Sequence, residues 1–481
     1  MIEQLKELEK TARLLEPNPV QRQNWNNKVI RQADEFLDEI ESLNAYDQPG
    51  KAHPNIIEPN FSEEPVSMDK LLPVIREIVD RQGINPASGK HLGYVPGGGL
   101  FPAALGDYLA AVTNRYAGIY FANPGAVQME NECIRWMCRL VGYPDTALGN
   151  LASGGSIATL TAITTARHFK RIISKNIEQS VIYCTEQIHH CLHKALRIAG
   201  LEEAILRYIP MDEQFRMSVA ALENQIRKDQ AAGLRPFLLV ASAGTTDTGA
   251  IDPLDALADI AKQYELWYHV DAAYGGFFLL VDELREKFSG IERSDSITID
   301  PHKGLFLPYG LGAVLIQNVR AQYEAHYYQA NYMQDAKPDA VEWSPADLSP
   351  ELTKHFRGLR MWLPLQLYGL KPFRAALHEK VLLCRYFYEK IQAMGFEAGP
   401  SPQLSIMIYR YIPDNEDANN FNQKLVAYLQ KDGQVFLSST LIDGFFWIRL
   451  AVMSFRTHLK EIDLCLQLLK KGLSELGVES E

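Results

Sequence analysis

Two short stretches of the chain place reactive side chains where a sheet would present them. Ser296-Ile297-Thr298-Ile299-Asp300-Pro301-His302-Lys303-Gly304 runs an apolar strand pattern into a lysine flanked by histidine and glycine. Thirty-two residues before that lysine, His269-Val270-Asp271-Ala272-Ala273-Tyr274-Gly275-Gly276 ends another strand pattern on an acid, followed by small residues that let something flat approach. A lysine alone at a strand end is ordinarily structural or solvated. The pairing is what suggests chemistry, because pyridoxal 5'-phosphate (PLP) needs an amine to form a Schiff base and a carboxylate to keep its pyridine nitrogen protonated.

Two further stretches fit the same cofactor. Ala152-Ser153-Gly154-Gly155-Ser156 precedes Ile157-Ala158-Thr159-Leu160, so a glycine turn opens a helix whose N-terminus can cup a phosphate. Taken alone it would be a plain helix start. Thr185-Glu186-Gln187-Ile188-His189-His190-Cys191-Leu192-His193 follows a strand and offers a histidine to stack on a cofactor ring. The competing readings are an ordinary helix start, or a zinc site from His189, His193 and the cysteines, whose spacing matches no common ligand set. Gly83-Ile84-Asn85-Pro86-Ala87-Ser88-Gly89-Lys90 imitates a phosphate-binding Walker loop but is one residue too long and continues with His91 rather than Ser or Thr.

These residues need a sheet behind them. Val181-Ile182-Tyr183-Cys184, Phe237-Leu238-Leu239-Val240, Trp267-Tyr268-His269-Val270, Ser296-Ile297-Thr298-Ile299 and Ala313-Val314-Leu315-Ile316 read as buried, largely parallel strands joined by crossover helices. One such helix is expected to take Asp252 as N-cap and Pro253 at its first position, with Leu254, Leu257, Ala258 and Ala261 on one face. Residues 1–90 show helical patterns broken by proline, with no strand ladder, and form a first segment. Residues 91–350 form a large domain that ends in a long polar, aromatic loop over 321–350, of the kind that serves as a lid. Residues 351–481 alternate helices with strands at Ser405-Ile406-Met407-Ile408 and Phe446-Trp447-Ile448-Arg449, as a smaller α/β domain would.

The bulk numbers agree with an enzyme of this build. A chain of 481 residues, 47% hydrophobic and 22% charged, can bury a large core divided among two or three units. The charge of -11, from 59 acids against 48 bases with no long basic run, argues against nucleic acid as a partner. The start, Met1-Ile2-Glu3-Gln4-Leu5-Lys6, lacks the apolar core of a signal peptide, and no apolar run reaches the roughly 20 residues of a membrane span, so a cytoplasmic protein is expected. The six cysteines (Cys133, Cys138, Cys184, Cys191, Cys384 and Cys465) include no CxxC pair and read as reduced, structural thiols.

Taken together, HVDAAYGG, DPHKG, the QxH turn after the strand at 181 and HFRGLRMW at 355–362 resemble the group II PLP-dependent decarboxylases, over nearly the whole chain. That family includes aromatic-L-amino-acid, histidine, glutamate and cysteine-sulfinate decarboxylases. The resemblance implies an α/β protein of PLP fold type I, the aspartate-aminotransferase-like fold. Its large domain would carry a mainly parallel seven-stranded sheet, with a smaller C-terminal α/β domain and an N-terminal helical segment. It also implies a homodimer with active sites at the subunit interface.

By the same resemblance Lys303 is the Schiff-base lysine, Asp271 pairs with the pyridine nitrogen, His189 stacks on one ring face and Ala273 lies against the other. Gly155 and Ser156 match the phosphate turn, Thr246 a threonine that approaches the ring, and His302 a neighbour of the lysine that assists proton traffic. Asp300 occupies a position that is asparagine in many relatives. A carboxylate there repels a phosphate, so it is expected to accept from a neighbouring donor. Arg449 matches an arginine near the substrate carboxylate, its alternative being a surface ion pair. Tyr94-Val95-Pro96-Gly97 and Tyr116-Ala117-Gly118, in the position of the substrate pocket wall, leave more room and fewer rings than the aromatic walls of aromatic-specific relatives; the substrate expected is nonetheless an aromatic or bulky amino acid rather than an acidic one.

The implied reaction is decarboxylation of an L-amino acid to the amine and CO2, the proton at Cα coming from a tyrosine on a mobile loop. Tyr332 is the first candidate and Tyr328 the second. The rivals are an aldehyde synthase, whose loop often carries phenylalanine instead, another PLP carbon-carbon lyase, and a scaffold protein without cofactor.

Overall fold

The computed structural model describes residues 1–48, 61–328 and 342–478. The chain opens with α1 (Ile2–Ala12) and α2 (Pro19–Glu39). Asn18 caps α2 through a reciprocal pair, its side chain accepting from Gln21 N at 2.9 Å while Asn18 N donates to Gln21 Oε1 at 3.0 Å, with Pro19 at the first helical position. Neither helix buries a residue. Between α2 and the next helices, β1 (Tyr46–Asp47) pairs antiparallel with β2 (Gly83–Ile84), on either side of α3 (Met68–Ile75). This two-residue ladder corrects the expectation that the first 90 residues hold no strand pairing. It is too short to leave a periodic signature.

After α4 (Phe101–Thr113) and α5 (Pro124–Leu140) the chain builds its main sheet. The elements follow as β3 (Leu148–Ala152), α6 (Gly155–Phe169), β4 (Ser180–Cys184), α7 (Cys191–Ile198), β5 (Ile205–Tyr208), α8 (Val219–Ala231), β6 (Arg235–Ser242) and α9 (Leu254–Gln263). Then come β7 (Trp267–Asp271), β8 (Ser296–Ile299), α10 (Pro301–Gly304), β9 (Gly312–Ile316) and α11 (Val319–His326). Seven strands lie in the order β3-β9-β8-β7-β6-β4-β5. The contacts from β8 through β7, β6 and β4 to β5 are parallel, and only β9 runs against its neighbours.

Both faces of this sheet are covered, which is why its strands read as continuous apolar runs. Tyr183, Leu239, Tyr268 and Leu315 point into one core, and their chain neighbours Ile182, Leu238, Trp267 and Ile316 into the other. That period of two is the pleat itself. The helix after β6 buries Leu254, Leu257, Ala258 and Ala261 as expected, but Pro253, not Asp252, takes the cap position. Asp252 is instead buried between two strangers in sequence, accepting from Met217 N at 2.7 Å and Ser242 N at 2.8 Å. The stretch from 321 begins as helix α11 rather than as loop, and residues 345–348 form a 3-10 turn.

The C-terminal part holds α12 (Gly358–Tyr368), α13 (Leu370–Ala393), β10 (Glu397–Ala398), β11 (Ile406–Arg410), α14 (Ala418–Asp432), β12 (Ser438–Ile442), β13 (Phe445–Ala451) and α15 (Leu459–Glu475). Its four strands form an antiparallel sheet in the order β10-β11-β13-β12, with its own apolar core. Leu92 packs into that core, Leu92 N donating to Phe436 O at 2.8 Å and Leu92 O accepting from Ala451 N at 2.8 Å. The segment that carries Tyr94 is thereby stitched to the smaller sheet.

Candidate active site

In an open α/β sheet the concave space forms beyond the carboxyl ends of the parallel strands. Here β4, β6, β7 and β8 all end on the same side, and the loops that follow them surround a cavity of about 510 Å³. Asp271 is the last residue of β7. Asp300 follows β8 directly, and the short helix α10 turns Lys303 back over it. Thr246 lies in the loop after β6 and His189 in the turn after β4, while Gly155 and Ser156 open α6 after β3. Of the twelve residues singled out in the sequence, nine line this one cavity: Gly155, Ser156, His189, Thr246, Asp271, Ala273, Asp300, His302 and Lys303.

The electrostatics centre on Lys303. Its Nζ lies 3.0 Å from Asp300 Oδ2, and its side chain remains partly exposed into the cavity. Burial works against the ammonium charge, but the carboxylates of Asp300 and Asp271 outweigh it and hold the lysine above its ordinary range. Asp271 Oδ1 accepts from Ala273 N at 3.1 Å, which fixes the carboxylate at the strand end. Burial pushes His189 below the ordinary histidine value, against the opposing pull of Asp271, and its Nδ1 accepts from Cys191 N at 3.3 Å. His302 is likewise lowered by burial, and its Nδ1 contacts Leu311 O at 2.6 Å, so that nitrogen carries the hydrogen.

Three residues fall elsewhere. Tyr332 lies outside the described residues. Tyr94 is half exposed and sits against His91 and Phe436, away from the cavity lining. Arg449 is 3% exposed, which removes its alternative as a surface ion pair. It donates to Ser438 Oγ at 2.7 Å, while Nε and Nη2 have no hydrogen-bond partner among the described residues. Burial lowers its proton affinity, with Asp247, Tyr274 and Tyr94 acting in the opposite sense. Tyr328, the other loop tyrosine, is 88% exposed.

The cavity also recruits residues that motif reading passed over. Thr298 lies two residues before Asp300 and is the register partner of Asp271, so strand alternation could have found it. Its hydroxyl stands 3.2 Å from Thr159 Oγ1, which reaches Cys191 Sγ at 3.7 Å. Gln187, in the turn of His189, is buried with Oε1 unpartnered among the described residues. Tyr309 and Gly310 close the rim from the loop after α10, and no pattern in the sequence marks them. His193, considered as a zinc ligand, spends its Nε2 on Tyr208 Oη at 2.7 Å, and no group of three or more metal-ligating side chains forms among the described residues. All six cysteines are buried and free.

The cavity suits PLP. It joins a carboxylate at the end of β7 and an amine on the short helix that follows the adjacent strand β8, and it places a glycine turn and the start of a 15-residue helix where a phosphate could rest. The buried, unpartnered Oε1 of Gln187 in the lining is the kind of group that a ligand satisfies. Asp300, whose carboxylate abuts the glycine turn at Gly155, is the member whose charge opposes a phosphate there.

Comparison with known proteins points the same way. The family model for the pyridoxal-dependent decarboxylase conserved domain matches residues 49–411. An aromatic-L-amino-acid decarboxylase of Bacillus atrophaeus is 34% identical over 393 residues, which cover 80% of this chain and 82% of that protein. A phenylacetaldehyde synthase of Petunia hybrida is 27% identical, over 95% of this chain and 94% of that protein. Among solved structures, Oryza sativa TDC with PLP and tryptamine superposes with a TM-score of 0.90 at 23% identity, covering 96% of this chain and 99% of that one, a likeness of fold.

Proposed function

Because the chain belongs to the pyridoxal-dependent decarboxylase family, we propose that it removes the α-carboxyl group of an aromatic or bulky L-amino acid, giving the amine and CO2. It is a PLP-dependent carboxy-lyase. The observation that carries the reading is Lys303 and Asp271 at adjacent strand ends of one cavity, an amine poised beside a carboxylate. The 34% identity to an aromatic-L-amino-acid decarboxylase supports the substrate class.

Bound PLP supplies a protonated pyridine ring that accepts electrons from the bond to the leaving carboxylate. Lys303 would hold the cofactor through Nζ, and Asp271 would keep the proton on the ring nitrogen. His189 and Ala273 would close on the two ring faces, with Thr246 at the ring edge, and Gly155 and Ser156 would cradle the phosphate. His302, with Nδ1 tied to Leu311 O, offers only Nε2 to proton traffic beside the lysine. Arg449, with its unspent donors, and Tyr94 would serve the substrate end. Tyr332 Oη would return a proton to Cα, with Tyr328 as its substitute.

The proposed organisation is a first segment over 1–90, a PLP-binding domain over 91–350 and a small domain over 351–481, in a cytoplasmic homodimer. The dimer is supported by apolar side chains left exposed on α1, α2 and α4, among them Leu5, Leu8, Val29, Leu105 and Val112. A single-chain mass in sedimentation under assay conditions would contradict it. No helix among the described residues is long and apolar enough to cross a membrane.

A panel of the common L-amino acids, assayed for CO2 and amine, tests the substrate class. Turnover is expected with tryptophan, tyrosine, phenylalanine or another bulky residue, and preference for glutamate or cysteine sulfinate would overturn it. The aldehyde synthase reading survives as the second one, on the observation that a phenylacetaldehyde synthase matches nearly the full chain. Aldehyde, ammonia and peroxide as main products would favour it.

A further inference from the structure

Asp300 departs from the rest of the cup, and the role argued for it rests on the reading that the cup takes the phosphate of PLP. The residue is 1% exposed. Oδ2 accepts from Lys303 Nζ at 3.0 Å and lies 3.8 Å from His302 Nε2, whereas Oδ1 has no hydrogen-bond partner among the described residues. The carboxylate is pressed into the glycine turn. A Cβ added at Gly155 would stand 2.9 Å from Oδ2, and one at Gly312 would stand 2.5 Å from Oδ1. An acid thus forms the wall of a cup whose helix N-terminus otherwise favours an anion.

The charges around it cannot absorb a second anion. Lys303 and His302 face Asp300 from its own turn, Asp271 lies across Lys303 at the end of β7, and His189 and Cys191 face it from the turn after β4 and from α7. Burial disfavours the charged form of both histidines and of the thiol, and Gly155 and Gly312 bring no charge. Lys303 is therefore the counter-ion; condensation of its ammonium with the cofactor aldehyde expels water and would leave the nitrogen one N-H in place of three, with no proton exchanged with solvent, so it could no longer serve Asp300 and a phosphate together. A phosphate dianion set against the unpartnered Oδ1 would then bring two acceptors together with no hydrogen between them. In a buried site that repulsion is poorly screened.

We propose that loading the cup takes up one proton from solvent, held between Asp300 Oδ1 and the cofactor phosphate. Affinity for the cofactor then falls as pH rises, and asparagine, which supplies its own N-H donor, removes the requirement.

The test uses the full chain stripped of cofactor, titrated calorimetrically with PLP near pH 8, where a free phosphate monoester with its second pKa of about 6 is a dianion. Repeating the titration in two buffers of different ionisation enthalpy counts the protons taken up. Wild type is expected to take up about one proton more per PLP than Asp300→Asn, and its Kd should weaken about tenfold per pH unit relative to that variant. Pyridoxal, which lacks the phosphate, should give equal counts for the two proteins. Should the variant fold poorly, wild type alone carries the test, with about one proton more for PLP than for pyridoxal. Equal counts for PLP in wild type and variant would overturn the proposal. So would an equal difference with pyridoxal, which would place the proton on the Lys303–Asp300 pair. Failure of wild type to bind PLP saturably would instead overturn the cofactor reading itself.

Discussion

At the scale of single residues the chemistry turns on how Asp271 is held. Its Oδ1 is fixed by Ala273 N, and its strand partners Ser242 and Thr298 belong to the two flanking parallel strands, so the carboxylate has little freedom to leave the cavity. Asp271→Ala should therefore keep the fold but cut the decarboxylation rate by several orders of magnitude, because the ring nitrogen would lose its proton near neutral pH. Steady-state kinetics with the best substrate checks this. A loss below about tenfold, or about 1.4 kcal/mol of barrier, would make Asp271 structural. The residues of this cavity were legible where chemistry and a strand end coincide, as at Lys303 and Asp271. Asp252 was misread as a helix cap because its real partners, Met217 N and Ser242 N, lie 35 and 10 residues away and leave no local trace. The unspent donors of Arg449 were equally invisible, since burial of a guanidinium with no carboxylate bonded to it among the described residues is a tertiary fact.

At the scale of elements, the strands with β-branched or aromatic runs declared themselves, whereas β1, β2, β3, β5, β10 and β12 did not. β3 reads Leu148-Gly149-Asn150-Leu151-Ala152, too polar and too rich in small residues to stand out, and edge strand β5 is only partly buried. The proposed proton donor, Tyr332, lies outside the described residues and is tested directly by substitution. Tyr332→Phe should still bind substrate and release CO2, since neither step needs the hydroxyl, but Cα would be left without its proton and open to oxygen. Product analysis should show amine falling while aldehyde, ammonia and peroxide rise. If Tyr332→Phe makes amine at the wild-type rate and Tyr328→Phe does not, the donor is Tyr328.

At the scale of the whole molecule, burial on both faces of the sheet leaves ionisable groups inside whose protonation differs on unfolding. His91 and His269 are 2% and 0% exposed, and burial lowers both to about 4. Between their unfolded value of about 6.5 and that value the unfolded chain binds protons that the folded one refuses, so their contribution is lost as pH falls through this window. Asp252 and Asp347, each raised by burial to about 6 from 3.8, and Asp295, raised by the same cause, work in the opposite sense, but burial also lowers His189, His302 and His326, so five histidines oppose three acids. The urea midpoint should therefore be lower at pH 5 than at pH 7.5, and an equal or higher midpoint at pH 5 would contradict the argument. The fold class was legible at this scale, whereas the stitching of Leu92 to the smaller sheet was not, because no local pattern links residue 92 to residues 436 and 451. The central claim, that this molecule is built to present one lysine to PLP, is tested most directly by reducing the PLP-loaded protein with borohydride and mapping the labelled peptide by mass spectrometry. The label should fall on Lys303 and vanish, with the cofactor's visible absorbance, in Lys303→Ala; a reducible adduct at another lysine, or one that persists in that variant, would contradict the account.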